Sequence, residues 1–293
     1  MRRVIIGTVF CIFFAGVRVS FASDWVKLHT EADTLTAQEA LKALAQNPGS
    51  PENLYVLALT YLNVHEDGKA GEAFTKALTL KPDFIEARWG KAEVLRREHK
   101  LQEAETILIT LLKEKPAFSP AYMTLAYIKY TQLQFNEAAR LAGIVMNQRD
   151  SRVDVSNQVR AYLLYSGAKG MIAHNGGPIS KIINGTAVLS NIKKAQKLQP
   201  DAAGVLFGLG SFYLLAPGLA GGDLAQAETY LTKAVEMDPL FVDAYVRLGQ
   251  LYALKGDRQK YAQFLGKALE IDPQNEVALD IKNGDCKFIC IGK

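Results

Sequence analysis

Four histidines, two C-terminal cysteines and two glycine-rich stretches are the places in this 293-residue chain where side-chain spacing invites chemistry. His65 and His99 stand 34 residues apart, and His29 and His174 complete the set. A metal centre needs further ligands of a second type, and none accompanies them, so the pair reads as exposed turn residues about 10 Å apart. Gly204-x3-Gly208-x-Gly210 lacks the order and the preceding strand of a dinucleotide-binding turn, and helix packing explains these glycines better. The stretch Asn175 to Lys181 (Asn-Gly-Gly-Pro-Ile-Ser-Lys) has the wrong glycine and lysine spacing for a phosphate loop. No Gly-x-Ser-x-Gly elbow and no Cys/His nucleophile arrangement stands out. Asn184-Gly-Thr186 is a glycosylation sequon, a tripeptide that arises often by chance. Nothing positive supports an enzyme, so a non-catalytic protein without cofactor or metal is expected.

The bulk composition narrows the class. Hydrophobic residues make up 49% and charged residues 22% of the chain, which fits a globular protein and argues against disorder or a multi-span membrane protein. Met1-Arg2-Arg3, the apolar run Val4 to Val17 and the small residues Ser20 and Ala22 form a secretory leader over residues 1–22. An uncleaved anchor is disfavoured, because Arg18 interrupts the run well short of the ~20 apolar residues a spanning helix needs. Arg2, Arg3 and Arg18 leave with the leader, so of 34 basic residues 31 remain, against 30 acidic ones. A nearly neutral body makes nucleic acid an unsuitable partner. Export to a periplasmic or secreted location, with no stable membrane insertion after cleavage, is the expectation. Cys286 and Cys290 then lie in an oxidising compartment, where a short local disulfide and an inert tail are equally open readings.

The elements that carry these residues are set by a repeat. Prolines recur at Pro48, Pro82 and Pro116, and Asp150 falls another 34 residues on. Pro200, Pro239 and Pro273 follow at spacings of 50, 39 and 34. Within the period, large and small residues recur in step. Leu54, Leu57, Ala58, Tyr61, Ala70, Phe74 and Ala77 fill the first unit, and Leu206, Leu209, Gly210, Tyr213, Ala227, Leu231 and Ala234 a later one. Apolar residues at i, i+3, i+4 and i+7 make each unit two helices, and one hairpin alone cannot bury its apolar face. Helix starts are expected at Thr36…Glu39, Ser50-Pro51, Asp83…Glu86, Ser119-Pro120, Asp223 and Asp257.

Spacing and residue size together resemble the tetratricopeptide repeat (TPR) family, with Arg88 and Lys91 departing from its pattern. The resemblance implies an all-α, right-handed superhelical solenoid of about six helical hairpins with capping helices. The chain divides into an extended N-terminal segment (23–34), N-terminal units (35–150), an irregular unit with insertions (151–200), C-terminal units with a capping helix (201–282) and a cysteine-containing tail (283–293).

Two units break the period. Sixteen extra residues fall between Asp150 and Pro200, partly in an enlarged turn around His174 to Gly185, and five more fall in the turn Ala216 to Asp223. Insertions in repeat proteins gather on one face, often a binding face, so Asn175, Gly177, Pro217, Gly218 and Gly222 mark a candidate surface. The alternative is that the two turns only cover each other's apolar residues. In TPR proteins the first helices line a groove for peptides or partner helices, which here implies Tyr55, Leu59, Trp89, Glu93, Met123 and Tyr127. The expected function is an exported scaffold that binds a protein or peptide in that groove. The Gly-Gly-Asp turn is also similar to a TPR-type periplasmic accessory subunit of some solute transporters, so the alternative is a subunit that binds or channels a small ligand.

Overall fold

The computed structural model describes residues 25–148 and 152–289, and the expected leader and Cys290 lie outside them. Fifteen α-helices and no strand are present among the described residues. Six antiparallel hairpins form the solenoid: α3 (Pro51–Asn63) with α4 (Asp67–Leu80), α5 (Ile85–Arg97) with α6 (Leu101–Glu114), and α7 (Ser119–Thr131) with α8 (Phe135–Met146). The later three pair α9 (Val155–Asn175) with α10 (Pro178–Leu198), α11 (Ala203–Leu215) with α12 (Leu224–Met237), and α13 (Val242–Leu254) with α14 (Arg258–Ile271). Helix α2 (Ala37–Gln46) precedes the first hairpin as a lone half-unit, and α15 (Glu276–Asn283) caps the far end. The segment expected to be extended is instead helix α1 (Trp25–Thr34).

Local chemistry explains four of the six expected helix starts. Thr36 and Glu39 form a reciprocal capping box, and Ser50 Oγ accepts from the Asn53 N–H at 3.0 Å. Asp223 and Asp257 cap α12 and α14 as expected. Two starts differ: α5 and α7 begin after Phe84 and Phe118, with no side-chain cap. Those two rings are fully buried, and the Nζ of Lys81 and Lys115 sit 4.6 and 5.3 Å from their centroids. Docking of an aromatic ring, not a hydroxyl or carboxylate cap, fixes the entry of these helices.

Small residues set how closely the helices approach. Ala58, Ala70, Ala77, Ala104, Ala126 and Ala234 have no exposed surface. At Gly90 the approach is closest, since an added Cβ would lie 2.3 Å from the Phe74 ring.

The irregular unit holds its extra residues as helix. Helices α9 and α10 run 21 residues each, whereas the helices of the other units have 12 to 14, and the expected long turn shrinks to Gly176-Gly177. The second insertion is a true loop with one 3-10 turn at Gly218–Ala220.

The two ends of the solenoid meet. His65 and His99 adopt left-handed backbone (φ 58° each) at equivalent turns. Their rings reach carboxylates 173 residues further on: His65 Nε2 to Asp238 Oδ2 at 3.1 Å, and His99 Nε2 to Asp272 Oδ1 at 3.1 Å. Nδ1 of His99 also lies 3.2 Å from Glu276 Oε1. One step of 34 residues on the near side thus matches one step of 34 on the far side. These histidines are turn residues, as the spacing implies, and they also clasp the opposite end, His65 exposed and His99 half-buried. The tail joins the same closure: Phe288 stacks on Tyr130 with centroids 6.2 Å apart, and Gln250 Nε2 donates to the Ile289 carbonyl at 3.1 Å.

Candidate interaction surfaces

Five of the six residues expected to line an open groove are buried. Tyr55, Trp89, Glu93 and Met123 are each at most 2% exposed, Leu59 is buried, and Tyr127 is half-buried. Their cover is the chain itself. Helix α1 lies against the first helices of the early units, and its Trp25 ring meets Phe118 edge-on at 5.4 Å. His29 packs at 5.4 Å from Trp89 and its Nε2 pairs with Tyr55 Oη at 2.7 Å. The start of α9 seals the other side. Asp154 caps α9 by accepting from the Asn157 N–H at 2.9 Å, and its carboxylate stands 3.9 Å from His29 Nδ1.

Burial in this interior sets the electrostatics of its polar groups. Burial, opposed by Asp154, lowers His29 to about 4, so its ring is neutral at neutral pH. Burial likewise pushes the Tyr55 phenol well up. For Glu93 burial works to raise the pKa, but the guanidiniums of Arg96, Arg160 and Arg97 outweigh it and hold the carboxyl well below its usual range. That carboxylate accepts from Arg96, Arg97 and Thr124, and Thr124 Oγ1 in turn accepts from Trp89 Nε1 at 3.0 Å. Tyr127 lies under the Arg96 guanidinium, 4.5 Å from its ring centroid, and Asp243 across the closure and burial raise its phenol. The six groove positions are therefore brought together, but as shared core. An N-terminal helix at spacing Trp25, His29, Ala32 was the signal that 23–34 would fill the groove.

The inserted edge is open. Asn175, Gly177, Pro217 and Gly218 are exposed and Gly222 is half-buried. Residues 216–223 form a built turn. The Gly222 N–H donates to the Pro217 carbonyl at 3.1 Å, and the Asp223 N–H to the Tyr213 carbonyl at 2.9 Å. Gly221 takes a left-handed φ of 97°, and a Cβ on Gly222 would stand 1.9 Å from the Ala216 carbonyl oxygen. This turn holds Leu219 fully exposed. At the α9–α10 turn, Ile179, Ile182 and Ile183 are exposed too. Beside them a cleft of ≈ 470 Å³ is lined by Leu133, Phe135, Ile172, Asn175, Gly176 and Ser180. The two insertions do not simply cover each other's apolar side chains. Cys286 is disulfide-bonded, and the expected partner Cys290 falls outside the described residues.

Known proteins carry the same pattern. The tetratricopeptide repeat family matches residues 51–84 and 219–276. Human Tetratricopeptide repeat protein 6 is 22% identical over 231 residues, 77% of this chain and 40% of that protein. The Surface lipoprotein assembly modifier of Pasteurella multocida is 31% identical over 104 residues, 32% of this chain and 20% of its own length. The chain thus spans less than half the length of these curated relatives. A solved tetratricopeptide repeat protein from Parabacteroides merdae superposes with a TM-score of 0.50 at 17% identity, covering 83% of this chain and 88% of that one. The repeat spacing, the six hairpins and these matches agree: the chain carries tetratricopeptide repeats, recognised over residues 51–84 and 219–276.

Proposed function

We propose that this protein is an exported, non-catalytic scaffold that holds a protein partner on its inserted edge, outside the filled groove. The observation that carries the reading is the inversion of exposure between the two surfaces. Tyr55 and Trp89 are spent on internal packing, whereas a rigid glycine-built turn presents Leu219 to solvent. An apolar anchor on a preformed turn binds with little ordering cost. The leader and the disulfide at Cys286 support export.

The test is site-specific photo-cross-linking in cells, with the reactive group at 219 or at 123. Capture of one defined protein from position 219 and none from 123 is expected, and Leu219→Asp should abolish it without altering the helical signal. Capture from 123 alone would reinstate the groove and reject this reading. Export is checked separately by sequencing the N-terminus of the mature protein, which should begin at Ser23. The cleft beside Asn175 favours a second reading, a solute-handling accessory, in which deleting residues 216–221 impairs uptake of a solute and spares protein capture.

A further inference from the structure

The α9–α10 hairpin has a feature that protein binding at residue 219 does not use. Each of its helices is about seven residues longer than those of the neighbouring units, so at ~1.5 Å per residue its tip overhangs the edge by about 10 Å. On that tip Ile179, Ile182 and Ile183 are 74%, 68% and 66% exposed. Their i, i+3, i+4 spacing gathers them on one face of the first turn and a half of α10. Large aliphatic side chains left this bare at the end of a protrusion are apolar surface awaiting cover.

Charge says what covers it. Residues 155–200 contain six basic residues (Arg160, Lys169, Lys181, Lys193, Lys194 and Lys197) and no Asp or Glu. The rest of the chain from Ser23 carries 25 basic against 30 acidic residues, so the hairpin is a basic arm on an acidic body. Lys181 and His174 are exposed beside the isoleucines, and Lys193, Lys194 and Lys197 are exposed further along α10. A convex apolar knob beside Lys181, on a hairpin that carries no acidic side chain, fits a fluid apolar phase beneath a negative surface, which requires no matching pocket. No described helix is long and apolar enough to cross a membrane, so the contact is peripheral.

We propose that the tip of the α9–α10 hairpin docks on an anionic phospholipid surface, with Ile179, Ile182 and Ile183 entering the headgroup–acyl boundary and Lys181 facing the lipid phosphates. The inference stands on other residues than the partner reading and survives its failure. It is tested by vesicle co-sedimentation of the chain from Ser23 on, so that the apolar leader contributes nothing. The vesicles are phosphatidylcholine alone or phosphatidylcholine with 30 mol% phosphatidylglycerol (about one lipid in three anionic). Expected are partitioning at least tenfold stronger on the anionic vesicles, weakening with salt, and a tenfold loss in Ile182→Asp/Ile183→Asp and in Lys181→Glu/Lys193→Glu. Leu219→Asp should bind lipid like the parent. Equal partitioning on both vesicles, or undiminished binding by the isoleucine variant with its circular dichroism intact, would overturn the proposal. So would a concentration-dependent dimer abolished by the isoleucine variant in the absence of any lipid binding, because the tip would then serve a second copy.

Discussion

Between about pH 6.5 and pH 4, acid should loosen this protein through His29. In the folded chain burial lowers its pKa to about 4, while an unfolded histidine titrates near 6.5. The native state therefore binds fewer protons than the unfolded chain between those values, and stability falls as pH falls through that window. Above about pH 6.5 both states are neutral, and below about pH 4 both are charged, so the effect saturates at each end. The full difference corresponds to about 3 kcal/mol, and roughly 2 kcal/mol of it appears between pH 7 and pH 5. Against a typical stability of ~5–15 kcal/mol that is a large share. The assay is urea unfolding at a series of pH values, followed by far-ultraviolet circular dichroism, for the parent and for His29→Gln, which keeps a polar partner for Tyr55. The variant should be less stable at pH 7 but should lose about 2 kcal/mol less between pH 7 and pH 5. Equal pH slopes in the two proteins, or a His29 resonance titrating near 6.5 in the native state, would refute the buried-neutral assignment.

Other outcomes follow from the packing. Gly90→Ala places a Cβ within 2.5 Å of three Phe74 ring atoms and should cost ~1–3 kcal/mol in urea unfolding. The triple change of Tyr55, Trp89 and Tyr127 to Ala, which would be a clean test of an open groove, should instead lower the melting temperature sharply, since each large-to-small core change costs ~2–5 kcal/mol. Phe288→Ala removes a buried ring stacked on Tyr130 and should cost ~3 kcal/mol, read by thermal unfolding. Asp238→Asn with Asp272→Asn should leave the radius of gyration unchanged in small-angle scattering, because partly exposed polar contacts of this kind contribute only ~0–1 kcal/mol each, whereas adding Phe288→Ala should expand it.

The sequence alone determined the units of this fold and their order. The 34-residue spacing of prolines, the small residues that let helices approach, and the caps at Thr36, Ser50, Asp223 and Asp257 are all local, and nearest neighbours in a repeat array interact only across one such period. The same logic marked Asn175 and Gly218 as an edge apart from the rest. It failed where contacts span the whole molecule. That His65 and Asp238 touch depends on the rotation accumulated over several hairpins, and no residue pattern of one period records that sum. Whether Trp89 lines an open groove or packs under His29 depended on where the first ten described residues came to rest. Part of the sixteen extra residues reads as loop because Gly176, Gly177 and Pro178 signal a turn, yet glycine also lies within the helices at Gly170 and Gly185, where antiparallel pairing outweighs its weak helix propensity. Periodicity names the parts; only closure of the superhelix decided which of their faces water can reach.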